Sequence, residues 1–486
     1  MNYLSFDVGT TACKCQLFSE DGNILEYLST EYGFCREKGE TYVDIGAIKE
    51  NVFSMIKAIA QKHSVDSICF STFGEAFVLL NKEDNILFCP MLYTDRRGEE
   101  QAKAISQKFG NQKIYEITGT LPHPMYSVSK LLYIKEHYPD MYANADKLFL
   151  ICDYLGYILT GKRVIDYSLA ARTGVFDIEK LQFSEEICAA FGIDTRLFST
   201  PERTGTVVGT IHNDELGLKD CKLVLGSHDQ ICTAIGAGVV ESGQAVDGMG
   251  TVECVTAVFK NKCANIKAGE QGYPIVPYAI EGLYCTYICN YASGSIVKWF
   301  KDEIMHGYKG DKESVFEYLE SDFTEEPSGL FILPYFAGAA IPYQDINAKG
   351  AIVGLSTSTT VSQIYRSLME STAMEMKFEV AVAKKYGIKV KSAVATGGGS
   401  NSDKWLQIKA DIQGIPYKTL RSSEGGLCGC AMLQAVAIGG KSLSQAVKIF
   451  VKEKKRFVPN QERTEQYRPY YKKYTGLYKS LKDFFR

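Results

Sequence analysis

Several absences narrow this sequence before any motif is considered. No CxxC pair occurs, and the six histidines are scattered singly, so no zinc-ligand spacing is present. No apolar run is long enough to cross a bilayer: the best candidate, residues 282–297, is short, and Asn290 and Ser293 interrupt it. Charge of one sign is not in excess either. The 54 Lys and Arg face 57 Asp and Glu, a formal net of −3, which gives no electrostatic basis for a nucleic-acid partner or an anionic membrane surface. The start, Met1 to Asp7, lacks a basic n-region, and Asp7 falls where an apolar signal core would run, so a cytoplasmic location is expected. No GxGxxG occurs, which argues against a Rossmann dinucleotide site.

What is present is globular. The 486 residues are 45% hydrophobic and 23% charged, enough for two or three cores. Cysteine is plentiful at 15 residues, an odd number, with x-spaced pairs at Cys13/Cys15 and Cys428/Cys430. Buried free thiols are the expected state, because reduced cysteine packs as a small hydrophobe.

Leu4 to Thr11 reads as a strand ending in a tight turn, Cys13 to Phe18 as a second strand, and Ile24 to Glu31 as a third after the Asp21-Gly22 turn. Ile48, Val52, Met55, Ile56 and Ile59 give residues 45–62 a helical stripe ahead of a strand at Ser67 to Ser71. Helices are expected over Ser129 to Leu150 and Asp153 to Leu159, and a strand over Leu223 to Leu225. This mixture is α/β. The opening theme then returns. Asp7-Val8-Gly9-Thr10-Thr11-Ala12-Cys13 resembles Asp247 to Cys254 on a Gly-Thr-x-x-Cys frame, at an offset of 241 residues, about half the chain. A duplicated domain with a boundary near residue 245 follows. The tail from Lys452, basic and rich in tyrosine, is expected to be a surface helix packed on a domain.

Three glycine-bearing turns sit beside acids or hydroxyls. The first is Asp7-Val8-Gly9-Thr10-Thr11 with Lys14: turn amides and hydroxyls suit phosphate oxygens, and a strand-end aspartate suits a magnesium ion. Its alternative is an ordinary hairpin with a capping aspartate. The second is Gly226-Ser227-His228-Asp229-Gln230, which by itself reads more readily as a helix N-cap. The third is Thr396-Gly397-Gly398-Gly399-Ser400-Asn401-Ser402, leading into a helix over Lys404 to Gln413 and suited to a nucleotide cleft. Gly156 to Lys162 has the GxxxxGK spacing of a P-loop, but Arg163 replaces the Ser/Thr and the loop is bulky and apolar. It reads as a helix end with Gly161 as its C-cap.

In this order and spacing, the turns resemble the FGGY family of carbohydrate kinases over nearly the whole chain. Phe6 to Thr11 resembles the first phosphate motif, Asp229-Gln230 with Ala234 to Val239 the "DQ…GAG" segment, and Gly250-Thr251 the second phosphate motif. Ser293-Gly294-Ser295 resembles a nucleotide-side segment and Gly397 to Ser402 the adenosine motif. Tyr93 to Arg97 resembles the "WxDxR" block with Tyr in place of Trp. The resemblance implies two ribonuclease-H-like domains of the hexokinase/actin type, with an active-site cleft between them. Residues 1–245 would carry the sugar and the catalytic aspartate, and 246–486 ATP. It implies ATP-dependent phosphorylation of a small sugar or polyol, with Asp229 as general base and Asp7 on the magnesium side. Gly9, Thr10, Thr11, Lys14, Gly250 and Thr251 would hold ATP phosphates, while Gly294, Gly397, Gly398, Gly399 and Ser402 would line the adenosine cleft. Glu75, Tyr93, Asp95 and Gln230 would meet the sugar. A homodimer is a further implication.

Around Glu75 the sequence departs from both xylulokinases and glycerol kinases. Glu75 is kept, without the neighbouring His or Arg of either group, and its carboxylate is expected to accept hydrogen bonds from vicinal hydroxyls. Met125 stands where glycerol kinases carry a tyrosine, which counts against glycerol. Glu253, following the second Gly-Thr turn, is expected to add a polar contact. A pentulose such as D-xylulose is the best single substrate. Another ketose, a deoxyketose or a polyol follows, and a non-catalytic sugar- or nucleotide-binding regulator comes last.

Overall fold

A computed structural model describes residues 1–486 except 38, 263, 264, 309–313, 325 and 486. Two sheets repeat one plan. In the first half, β1 (Asn2–Val8), β2 (Ala12–Ser19) and β3 (Ile24–Glu31) form an antiparallel meander; β4 (Ser67–Thr72) lies parallel to β1 on its other side. The antiparallel pair β5 (Val207–Asn213) and β6 (Leu218–His228) completes the order β5-β6-β4-β1-β2-β3, with β6 parallel to β4.

The second sheet uses β7 (Gln244–Met249), β8 (Glu253–Lys260), β9 (Val276–Pro277), β10 (Leu283–Asn290), β11 (Ser392–Thr396), β12 (Tyr417–Leu420) and β13 (Glu453–Phe457). Their order is β9-β10-β8-β7-β11-β12-β13, with β7 antiparallel to β8 and parallel to β11. Each half is therefore a three-strand meander with two further strands parallel to the first. The duplication inferred from the Gly-Thr turns is a duplication of topology.

Helix α1 (Ile45–Ala60) buries the predicted stripe of Ile48, Val52, Met55, Ile56 and Ile59, with Asp44 capping it through the Ala47 amide. Between β4 and β5 lies an inserted layer, with a small sheet of Phe77–Leu80, Ile86–Phe88 and Lys147–Leu150. Here the single helix expected over Ser129 to Leu150 is overturned. The chain forms helices at Ser127–His137 and Pro139–Ala143 and then the strand Lys147–Leu150. Pro139 removes an amide and excludes the helical conformation before it, and Leu148, Phe149 and Leu150 pair with Phe77–Leu80 instead.

The tail also differs from expectation. Residues 453–457 form the edge strand β13, whereas the stretch that follows, Gln461–Leu481, is the expected surface helix, packed on the domain through Tyr467, Tyr474 and Tyr478. Gly161 adopts the left-handed conformation, φ 68°, and its amide donates to Tyr157 O, the C-cap expected of the P-loop decoy.

Two helices join the halves. Helix α2 (Asp229–Gly236) leaves β6, and helix α3 (Gly425–Ala437) follows β12, yet α3 packs on α2, β1 and β4. The contact is backbone to backbone. A Cβ at Gly236 would stand 1.9 Å from Gly425 O, and one at Gly429 2.0 Å from Cys232 O. Gln434 of α3 accepts from Ser67 at 2.7 Å and donates to Ser5 at 3.1 Å, tying the helix to β4 and β1.

Candidate active site

The two expected aspartates stand at nearby strand ends of the first sheet, close enough for the charge of Asp229 to act on Asp7. Asp7, next to last in β1, accepts from the Ser71 hydroxyl of the adjacent strand at 2.9 Å. Burial, and then the negative charge of Asp229, push its carboxyl up to about 6. Asp229 opens α2. Just before it the register of β6 against β4 shifts between Val224 and Ser227, where Gly226 lies so close to β4 that a Cβ would meet Phe70 O at 1.7 Å. That irregularity delivers His228 and Asp229 to the sheet's end. The Asp229 side chain is 36% exposed, and its Oδ1 accepts from the Gln230 amide at 2.6 Å. Burial pushes it up to about 6 against the opposing pull of that amide and of Arg172.

The wall beside Asp229 is built largely from residues that sequence reasoning missed. His228 lies 3.3 Å from the Asp229 carboxylate and 3.2 Å from the Tyr287 hydroxyl, and burial and Arg172 hold it down to about 4, a neutral imidazole. Arg172 is buried, forms an ion pair with Glu75, and stacks over Tyr126 and Tyr287 at 5.1 and 5.7 Å. Glu75 is not a free carboxylate: Arg172 engages Oε1, and the residue is 4% exposed. It stands at φ 64°, an uncommon conformation for glutamate, with its carbonyl accepting from Ser127 at 2.7 Å. One signal for Arg172 lies in the sequence, a lone arginine inside the otherwise small and apolar run Leu169-Ala170-Ala171-Arg172-Thr173-Gly174-Val175.

Asp95 is locked to Arg97, whose Nε lies 3.0 Å from both carboxylate oxygens, while Tyr93 is 45% exposed. The block connects to the wall electrostatically: the Lys130 ammonium, pushed down to about 8 by burial, feels both Asp95 and Glu75. Gln230 accepts from Thr256 on β8 at 3.4 Å.

The glycine turns fall into two groups. Gly9 closes a tight turn by donating to Ala12 O at 2.9 Å, and the Tyr32 hydroxyl, a second missed residue, latches the carbonyls of Gly9 and Ala12. Thr10 is half-buried and Thr11 exposed. The Lys14 ammonium pairs with Glu424 at 3.1 Å. Gly294 donates to Gly250 O at 3.0 Å, and Ser295 to Thr251 O at 3.1 Å. A Cβ on Gly294 would stand 2.4 Å from Gly250 O. Gly397, at φ 81°, approaches Met249 O, where a Cβ would lie at 2.8 Å, and Gly399 packs on the Met249 side chain. Gly398 begins a short 3-10 turn in open space, and Ser402 caps the helix Asp403–Gln413 through the Trp405 amide while donating to Glu320 at 3.0 Å. So Gly250, Thr251, Gly294, Gly397 and Gly399 form one cluster. Glu253 does not reach it: fully buried, it pairs with Lys409 and accepts from Ser293 at 2.7 Å. The expected polar contact from Glu253 is replaced by a structural ion cluster.

The chain matches the model for the N-terminal domain of the FGGY family of carbohydrate kinases over residues 2–236, and that for the C-terminal domain over 248–438. It belongs to that family. This FGGY kinase is 26% identical to the xylulose kinase of Bacillus subtilis over 500 residues, covering 99% of this chain and 97% of that one. It is 25% identical to the gluconokinase of Bacillus licheniformis over 509 residues, covering 99% and 96%. The xylulose kinase structure from Rhodospirillum rubrum superposes over the full length of both chains, 100% of each, with a TM-score of 0.90 at 22% identity, a likeness of fold. The chain is an ATP-dependent carbohydrate kinase with the two-domain FGGY fold. Among the described residues no helix is long and apolar enough to cross a membrane.

Proposed function

We propose that this carbohydrate kinase transfers the γ-phosphoryl group of ATP to a hydroxyl of a pentulose, D-xylulose being the best candidate, with Asp229 as general base. The observation that carries the reading is the seating of Asp229: a partly exposed carboxylate between a polar wall of Arg172, Glu75, His228 and Tyr287 and the facing Asp7. Residues 1–245 hold the sugar and 246–486 the nucleotide.

Phosphoryl transfer has a loose transition state, so the protein positions groups and neutralises charge. Asp229 takes the proton from the attacking hydroxyl, and its raised pKa makes it a stronger acceptor than an ordinary aspartate. His228, neutral, and the Arg172–Glu75 pair fix the wall on which sugar hydroxyls orient. Amides of the Gly9–Thr11 and Gly250–Thr251 turns meet phosphate oxygens. Asp7 fits magnesium: its Oδ1 is held by Ser71, its other oxygen accepts no hydrogen bond from the described residues, and the Asp229 charge nearby favours a cation. Magnesium, when bound, neutralises charge on the phosphates. The non-catalytic reading loses support because Asp7 and Asp229 are both present and lie close enough for the charge of one to act on the other. A cytoplasmic homodimer accords with the family resemblance.

The test is ADP release with magnesium and ATP against D-xylulose, L-ribulose, D-ribulose, L-fuculose, L-rhamnulose, glycerol, erythritol and gluconate. D-Xylulose is expected to raise the rate about a hundredfold over the sugar-free rate. Asp229→Asn is expected to lower that turnover by about 10²–10⁴-fold. Preference for any other compound replaces the pentulose assignment, and a mutant retaining a tenth of the activity refutes the general base.

A further inference from the structure

Most of the described cysteines are sealed inside the two cores. Cys254 and Cys289 are different. They are half-buried and directly opposed on the antiparallel strands β8 and β10, with Sγ atoms 2.9 Å apart. Opposed residues of such a pair hold their Cα atoms about 4.5–5.5 Å apart, inside the span of a disulfide. Side chains alternate along a strand, so Cys254 shares a face with Thr256, and Cys289 with Tyr287. Those two neighbours touch Gln230 and His228, on either side of Asp229. The thiol pair therefore lies on the cleft face of the second sheet.

We propose that Cys254 and Cys289 form a reversible disulfide that lowers kinase turnover, an inference resting on the kinase reading only for its activity readout. The oxidant is a peroxide. The Cys289 thiolate attacks one oxygen of hydrogen peroxide, the O–O bond breaks, and the departing hydroxide takes up a proton as water, leaving a sulfenic acid. The Cys254 sulfur attacks that sulfur; the S–S bond forms, the S–O bond breaks, and a second water leaves with the Cys254 proton. Two electrons and two protons pass from the thiols to the peroxide. The hydrogen bond between the thiols, followed by the Arg172 charge, holds the Cys289 thiol below its ordinary pKa against the effect of burial, which favours the attacking thiolate.

The bridge acts on the nucleotide side. Strand β8 begins directly after the Gly250–Thr251 turn, and β10 leads into Ser293 and Gly294, whose amides bind that turn's carbonyls. Drawing the sulfurs to about 2.05 Å pulls both arms of the turn together. By contrast, Cys232 and Cys430, 4.0 Å apart, are fully buried between α2 and α3 and shielded from oxidant.

The full chain is treated with hydrogen peroxide, capped with iodoacetamide, digested and analysed by mass spectrometry, with ADP release measured on the same samples. The expected result is a Cys254–Cys289 linked peptide, turnover lowered about tenfold and restored by dithiothreitol, and no loss in Cys254→Ser or Cys289→Ser. No linked peptide, a Cys232–Cys430 link instead, or a quantitative link with unchanged turnover overturns the proposal. If a serine variant fails to fold, the dithiothreitol-reversible loss in the wild type, matched to the amount of linked peptide, decides. If the reduced protein turns over no sugar, the kinase reading fails. The bridge then stands on the linked peptide with weakened ATP binding by calorimetry, and falls without either.

Discussion

Lys409→Met is the sharpest perturbation of the second half. Lys409, Asp247 and Glu253 are all fully buried, the ammonium 2.7 Å from Asp247 Oδ2 and in contact with Glu253. Two carboxylates thus share one cation, with Tyr417 and Ser293 donating to them at 3.2 and 2.7 Å. Burial and the Asp247 charge push Glu253 up to about 7 even with the lysine present. Removing the ammonium leaves two uncompensated carboxyl groups, at a cost of about 3–5 kcal/mol. At about 2–4 °C per kcal/mol, the thermal transition falls by about 6–20 °C.

The pH dependence carries the physical test. In the variant the Glu253 carboxyl, already raised by burial with the lysine present, loses the cation that opposed that rise, so the folded state binds more protons than the unfolded one. The stability it contributes is present at low pH and lost as pH rises through the raised value. The deficit therefore shrinks at pH 5 and grows toward pH 8. Adding Asp247→Asn and Glu253→Gln to Lys409→Met restores much of the loss. Urea unfolding at the two pH values reads all of this. A deficit under about 1 kcal/mol, or one equal at both pH values, refutes the argument.

Three further outcomes are expected. Because Asp229 sits at about 6 and acts as a carboxylate, kcat/KM falls as pH drops below 6 and is level above 7, with no contribution from His228; a profile flat to pH 5 removes Asp229 as the base. Gly294→Ala places a methyl 2.4 Å from Gly250 O and costs about 1–3 kcal/mol, seen as a raised KM for ATP with the sugar KM unchanged. Glu75→Gln leaves the buried Arg172 charge without its partner, so the melting temperature drops and the sugar KM rises, while an unaltered sugar KM places the pair outside the sugar site.

Local signals reached far into this chain because its turns carry their own instructions. The Gly-Thr turns, the apolar stripe of Ile45–Ala60 and the Gly161 C-cap are each written within a few residues, and each element formed where its signal lay. Contacts formed across long separations were not legible. Arg172 meets Glu75 from 97 residues away, Lys409 meets Glu253 from 156, and Lys14 meets Glu424 from 410. No spacing rule links such positions, so Glu75 and Glu253 read as carboxylates available to a substrate. The break near Pro139 does carry a local signal, the proline itself, and the single helix expected over Ser129 to Leu150 ran through it.

The glycine crossing of α2 and α3 brings two distant stretches of the chain into direct backbone contact, and no side chain separates the helices there. A residue larger than glycine at 236 or 429 would meet the backbone of the opposite helix and force the two helices apart. Because α3 also packs on β1 and β4, the displacement would reach the adjacent strand ends where Ser71 holds Asp7.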